Sequence, residues 1–235
     1  MTFDVIAFDG DDTLWHCETF FQEAQAEFQR LLAKYCDAAE IDRRLVDTER
    51  RNLQLFGYGI KGFTLSMVET AITLTEGRIA AADIHALIEL GKAMLRHPVE
   101  VIPEAEPLLQ SLQGRCHLMI VTKGDLWDQQ RKVDGSGLKR YFDSVEIVAE
   151  KDEDTYRRIV DRRGTAPERF VMIGNSLRSD ILPVAGLGGH AIYVPYHITW
   201  AHEAVEEAVA NQHRFWKINT LADVPEVLRQ IGEAE

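Results

Sequence analysis

The chain has 235 residues, 46% of them hydrophobic and 27% charged, which is enough to bury a sizeable core. Its 26 Lys and Arg stand against 38 Asp and Glu, a formal net charge of −12 that disfavours nucleic acid and anionic membranes as partners. No apolar run approaches the roughly 20 residues of a membrane-crossing helix, and Met1-Thr2-Phe3-Asp4 lacks the basic and apolar stretches of a secretory signal, so export is not expected.

The chain begins with a short apolar run, Val5-Ile6-Ala7-Phe8, cut off by Asp9-Gly10-Asp11-Asp12, which predicts a buried strand entering a polar loop. From Trp15 to about His97 the pattern changes to helical. Phe20, Ala24, Phe28, Leu31 and Tyr35 recur at helix spacing, as do Phe63, Met67 and Ala71. Further helices are predicted over 41–55 and 82–95, with a break at Gly57-Tyr58-Gly59. Pro98 and Pro103 mark the end of this insertion.

Apolar runs then return at 117–121, 145–148, 170–173 and 191–194, alternating with helical patterns at 126–138, 153–163 and 179–187. A last amphipathic helix is expected over 221–231. Such alternation predicts an α/β fold: a Rossmann-like parallel sheet with helices on both faces. The expected domains are a discontinuous core, 1–14 with 99–235, and an inserted helical domain, 15–98.

In an open parallel sheet, ligands gather beyond the carboxyl ends of the strands. The residues there are Asp9 and Asp11, then Thr122-Lys123-Gly124, then Glu150-Lys151-Asp152, then Gly174-Asn175-Ser176 with Asp180. Two carboxylates as close as Asp9 and Asp11 repel unless a cation joins them. Mg²⁺ suits the position, because it takes oxygen ligands and leaves room for phosphate, and Asp180 offers a third oxygen. Lys151 and Thr122 suit a phosphoryl group, one as a point charge and the other as a hydroxyl donor.

These residues carry a resemblance to the haloacid dehalogenase superfamily over essentially the whole chain. Four motifs support it: Asp9-Gly10-Asp11-Asp12-Thr13-Leu14 after a strand, Thr122 at the end of the next, Lys151 before a helix, and Gly174-Asn175-Ser176-Leu177-Arg178-Ser179-Asp180. The resemblance implies that Asp9 attacks phosphorus to give an aspartyl phosphate and that Asp11 serves as acid and then base. The neutral form of Asp11 that this role needs is expected to be favoured by the apolar strand and the neighbouring carboxylates. The resemblance also implies that Thr122, Lys123 and Lys151 hold the phosphate. Mg²⁺ would then bind Asp9, the Asp11 carbonyl and Asp180. Asn175 stands where the family usually has an acid, so it is expected to bind the metal through its amide oxygen without adding charge, or, with Ser176, to act behind the metal or through its water. The insertion resembles a cap that closes over the site and excludes water, which implies a small phosphorylated metabolite as substrate.

Trp15 either lines the site or packs the core, and His16 and Glu18 are equally open. Gly186-Leu187-Gly188-Gly189 follows a helix and precedes a strand, so it reads as a helix stop and not as a dinucleotide loop. His190, His197, His202 and His213 have no metal spacing, and Glu203, Glu206 and Glu207 read as a solvated helix face. His197 and Trp200 follow the fifth strand and could reach the edge of the site. Cys17, Cys36 and Cys116 form neither a disulfide framework nor a metal pattern, which suits a cytoplasmic protein. The expected function is Mg²⁺-dependent hydrolysis of a small phosphate monoester. Alternatives are phosphomutase-type transfer and a non-catalytic regulator that binds a phosphorylated ligand. No feature of the sequence fixes an oligomeric state.

Overall fold

The computed structural model describes residues 3–198, 200, 203, 205 and 213–234. In chain order, β1 (Val5–Phe8) leads to α1 (Glu18–Leu32), α2 (Ala38–Phe56), α3 (Ile60–Leu74) and α4 (Ala81–Arg96). Then come α5 (Ala105–Leu112), β2 (His117–Lys123), α6 (Leu126–Gly135), β3 (Ser144–Val148) and α7 (Glu153–Arg163). The chain continues through β4 (Phe170–Gly174), α8 (Leu182–Gly186), β5 (His190–Tyr193), β6 (Trp216–Lys217) and a last helix, Val224–Ala234. None of the described helices is long and apolar enough to cross a membrane.

Two compact units result. Met1–Glu18, Val99–Lys123 and Gln129–Glu235 make the first, and Thr19–Pro98 with Gly124–Asp128 make the second. In the first, the strands form a parallel sheet in the order β3-β2-β1-β4-β5-β6. The apolar runs predict five of these strands; β6, only two residues long, adds a sixth.

Side chains alternate across a strand, so each run serves two cores. Ile6, Phe8, Leu118, Ile120, Val171 and Ile173 pack with Leu108, Leu109 and Leu112 of α5 and with Val227, Leu228 and Ile231 of the last helix. Val5, Ala7, Met119, Val121, Phe170 and Met172 pack with Tyr156, Ile159 and Val160 of α7. Helices therefore cover both faces, which is why the strands read as unbroken apolar runs.

Pairing register sets the working edge. Phe8 lies opposite Ile120 on one side and Ile173 on the other. The chain therefore leaves β1, β2 and β4 at one level, carrying Asp9, Thr122 and Asn175 to the same end of the sheet. Beyond β4 the expected helix at 179–187 begins two residues earlier, as a wider π turn over Leu177–Ile181, and continues as α8. In that turn the N–H groups of Asp180 and Ile181 both donate to the Ser176 carbonyl, at 2.9 and 3.2 Å.

The second unit has its own core. Ala24, Phe28 and Leu32 of α1 meet Ile41 and Leu45 of α2, Phe63, Met67 and Ala71 of α3, and Leu87 and Met94 of α4. Asp37 caps α2 by accepting from the Glu40 N–H at 2.9 Å. Gly57 and Gly59, at φ +70° and +114°, make the break between α2 and α3. Tyr35 does not extend the α1 stripe, because that helix ends at Leu32 and the ring is exposed.

Candidate active site

The loop after β1 is tight. The Gly10 carbonyl accepts from the N–H groups of Thr13, Leu14 and Trp15 at 3.3, 2.8 and 3.3 Å. Asp12 takes the left-handed φ of +61°, which a short polar side chain tolerates, and its carboxylate receives the N–H groups of Cys17 at 2.8 Å and Glu18 at 3.1 Å where α1 begins. Gly10 is needed for space: a Cβ there would lie 2.6 Å from the Trp15 ring and 3.3 Å from the Thr122 hydroxyl.

Asp9 lies at the centre of a buried ionic group. Lys151 Nζ donates to Asp9 Oδ1 and, at 2.7 Å, to Asp180 Oδ1, while Asp180 Oδ2 accepts the Ser176 N–H at 3.0 Å. Asp9, Lys151 and Asp180 are 6%, 4% and 0% exposed. Two carboxylates share one ammonium here, so a negative charge is left over in a dry place. Burial first, then the Asp180 charge, push the Asp9 carboxyl up to about 8 against the pull of Lys151. A Cβ at Gly174 would overlap the Asp180 carboxylate, so the glycine ending β4 makes room for it.

Asp11 faces a different set of groups. Lys132 Nζ reaches both of its oxygens at 2.9 Å, Gln129 Nε2 donates to Oδ2 at 2.9 Å, and Trp15 Nε1 donates to Oδ1 at 2.7 Å. Burial acts to raise its pKa, but the Lys132 charge and these donors outweigh burial and hold the carboxyl below the usual range. The expectation that apolar surroundings favour neutral Asp11 is thus corrected: the Lys132 charge and the Gln129 and Trp15 donors favour its ionised form. Gln129 Oε1 accepts from the Thr122 hydroxyl at 3.2 Å, which links β2 to Asp11 through one amide. Gln129 and Lys132 are three apart on α6 and buried, so they share a face. That spacing was available in the sequence, but nothing there marked the face as pointing to Asp11. Trp15 resolves both ways: it is fully buried in the core and its ring N–H touches the site.

Asn175 lies between the two aspartates. With its amide nitrogen inward it donates to Asp9 Oδ2 at 3.1 Å and to the Asp11 carbonyl at 3.2 Å. With its oxygen inward, three oxygens converge beside an uncompensated buried charge, a donor set suited to a hard divalent cation. Among the described residues no cluster of three or more His, Cys, Asp or Glu side chains is arranged to hold a metal. The converging set differs from such a cluster because it includes an amide and a backbone carbonyl. Asp180, expected as a third ligand, has both oxygens engaged by Lys151 and Ser176.

Lys123 and Ser176 belong to an adjoining cluster. Lys123 Nζ donates to Ser179 Oγ at 2.9 Å, to Glu150 at 3.3 Å and to Glu203. Glu203 departs from the solvated helix face that the sequence predicts: its side chain is 13% exposed and is held by Lys123, Ser176 and Ser179. His202, Glu206 and Glu207 lie outside the described residues. His16 Nδ1 lies 2.7 Å from the Tyr196 hydroxyl, away from the aspartates' contacts, and the Tyr196 and His197 rings are 4.1 Å apart. Asp152, following Lys151, caps α7 by accepting the Thr155 N–H at 2.8 Å.

An aspartate pair at the tip of a central strand, a lysine after the third strand and an Asn–Asp turn after the fourth define a hydrolase site on a Rossmann-like sheet. The chain belongs to the haloacid dehalogenase-like hydrolase family, whose model matches residues 3–188. Its fold is similar to a solved haloacid dehalogenase-like hydrolase from Xanthomonas campestris, with TM-score 0.88, 41% identity, and 100% of this chain and 95% of that chain covered. It is also similar to pyrimidine 5'-nucleotidase YjjG of Escherichia coli (strain K12), 25% identical with 97% of this chain and 99% of that protein covered. A third relative is N-acylneuraminate-9-phosphatase of Mus musculus, 26% identical with 75% of each chain covered.

Proposed function

We propose that this chain is a Mg²⁺-dependent phosphatase that cleaves a small phosphate monoester through an aspartyl phosphate on Asp9. The observation that carries the reading is the Lys151 bridge between Asp9 and Asp180 at the tip of the sheet, two residues from a separately cradled Asp11. Both curated relatives described above are named for phosphate-ester substrates, which agrees with it.

In this reading Asp9 Oδ attacks phosphorus and the bond from phosphorus to the ester oxygen breaks. Asp11, ionised before the ester binds, takes up a proton from solvent as the anionic phosphoryl group arrives beside it. It passes that proton to the ester oxygen and then takes one from the water that displaces Asp9. Lys151 holds Asp9 in place and offsets charge on the phosphoryl oxygens, and Thr122 offers its hydroxyl to them. Asp9, the Asp11 carbonyl and Asn175 would hold Mg²⁺, with Asp180 behind them through Lys151 and Ser176. When bound, the ion neutralises phosphoryl charge. Choice of ester is assigned to the helical insertion, 15–98, acting as a cap domain, and the cytoplasm is the expected compartment.

The test is hydrolysis of p-nitrophenyl phosphate with and without Mg²⁺. Wild type is expected to turn over only with the ion, and Asp9→Asn is expected to lose about a thousandfold or more in kcat. Equal rates for the two proteins would remove Asp9 from the chemistry and favour the binding role.

A further inference from the structure

Glu203 lies beyond the segment that the family model matches, yet its carboxylate meets residues of two motif loops. Ser176 Oγ and, at 2.7 Å, Ser179 Oγ donate to its Oε2, and Lys123 Nζ donates to its Oε1. The donors are oriented without help from Glu203. Ser176 Oγ accepts the Ser179 N–H at 3.0 Å, and Ser179 Oγ accepts Lys123 Nζ at 2.9 Å. With those lone pairs engaged, both hydroxyl protons turn toward whatever sits between them. An ammonium on one oxygen and two hydroxyl donors on the other oxygen of a single carboxylate form a receptor for an oxyanion. Glu150, also on Lys123 at 3.3 Å, is 48% exposed and stays at the rim. Burial works against the Glu203 charge, but Lys123 and the two hydroxyls hold its carboxyl below the ordinary range, as they would any oxyanion placed there.

We propose that Lys123, Ser176 and Ser179 form a second oxyanion site, which Glu203 fills as a tethered carboxylate and from which the oxyanion of a small ligand displaces it. Use of this site for a second, non-reacting anionic group of a phosphate monoester rests on the phosphatase reading. Oxyanion binding itself does not.

The experiment is calorimetric titration of the full chain with inorganic phosphate and, separately, with malonate. Glu203→Ala removes the tethered competitor and is expected to bind malonate about tenfold or more tightly than wild type. The gain should vanish when Lys123→Ala is added. Glu203→Gln, which keeps shape but not charge, should fall between, and it decides the matter if the alanine variant does not fold. A gain with phosphate alone would mark the site as phosphate-selective, and a gain with both as a general oxyanion site. No gain with either probe, or a gain that survives Lys123→Ala, would overturn the proposal. Because no turnover is read, an inactive but anion-binding protein would sink the phosphatase reading and leave this one standing.

Discussion

Asn175 shows how one side chain sets the electrostatics of the site. Its amide lies within hydrogen-bond distance of Asp9 Oδ2 and of the Asp11 carbonyl, where a second carboxylate would add charge to an already negative group. Asn175→Asp is therefore expected to lower the melting temperature without Mg²⁺. It should also reduce the Mg²⁺ needed for half-maximal activity by about tenfold. Titrating activity and melting temperature against Mg²⁺ in both proteins checks this, and an unchanged requirement would mean that Asn175 does not face the ion. Gly10 offers a second test. Alanine there would push the Trp15 ring away from Asp11, costing about 1–3 kcal/mol of stability and lowering kcat as well, read by chemical denaturation and steady-state rates. Asp9, Asp11, Lys151 and Asp180 could be picked out in the sequence because each follows a strand. Glu203 could not: its partner Lys123 is 80 residues away and no local pattern joins them.

Elements were legible wherever one period dominated. The buried strands β1, β2 and β4 read as apolar runs because helices cover both faces, and α1 and α3 read from their stripes. The short helix α5 gave too brief a pattern after Pro103, and β6 is too short to have one. The π turn at Leu177–Ile181 carries Asp180 to Lys151, 29 residues away, which is a tertiary demand and not a local one. On α2, burial alone raises Glu49 from 4.5 to about 7. The folded state thus holds this proton more tightly than the unfolded chain does, so its stabilising contribution is complete below about 4.5 and is lost as pH climbs through about 7. Glu49→Gln should therefore melt above wild type at about pH 8 and lose that advantage at about pH 5. A pH-independent difference would contradict this assignment.

At the scale of the whole molecule, the −12 net charge repels the anionic ligand that the site is built to take. The fold answers locally, with Lys151, Lys132 and Lys123 each drawn inward against a carboxylate at the working edge of the sheet. The motifs supply Lys151, and Lys123 follows the Thr122 motif, but the inward turn of Lys132 from α6 to Asp11 joins residues 121 apart and has no local signal. In the proposed reaction Asp9 forms a bond to phosphorus while Asp11 moves protons. The measurement that tests it most directly is rapid quenching of Mg²⁺-loaded enzyme with substrate, followed by mass spectrometry of the peptide containing Asp9. A phosphoryl group on Asp9 is expected in wild type, at higher occupancy in Asp11→Asn, where the second step lacks its base. Phosphate released at the wild-type rate with no phosphoryl group ever on that peptide would contradict it.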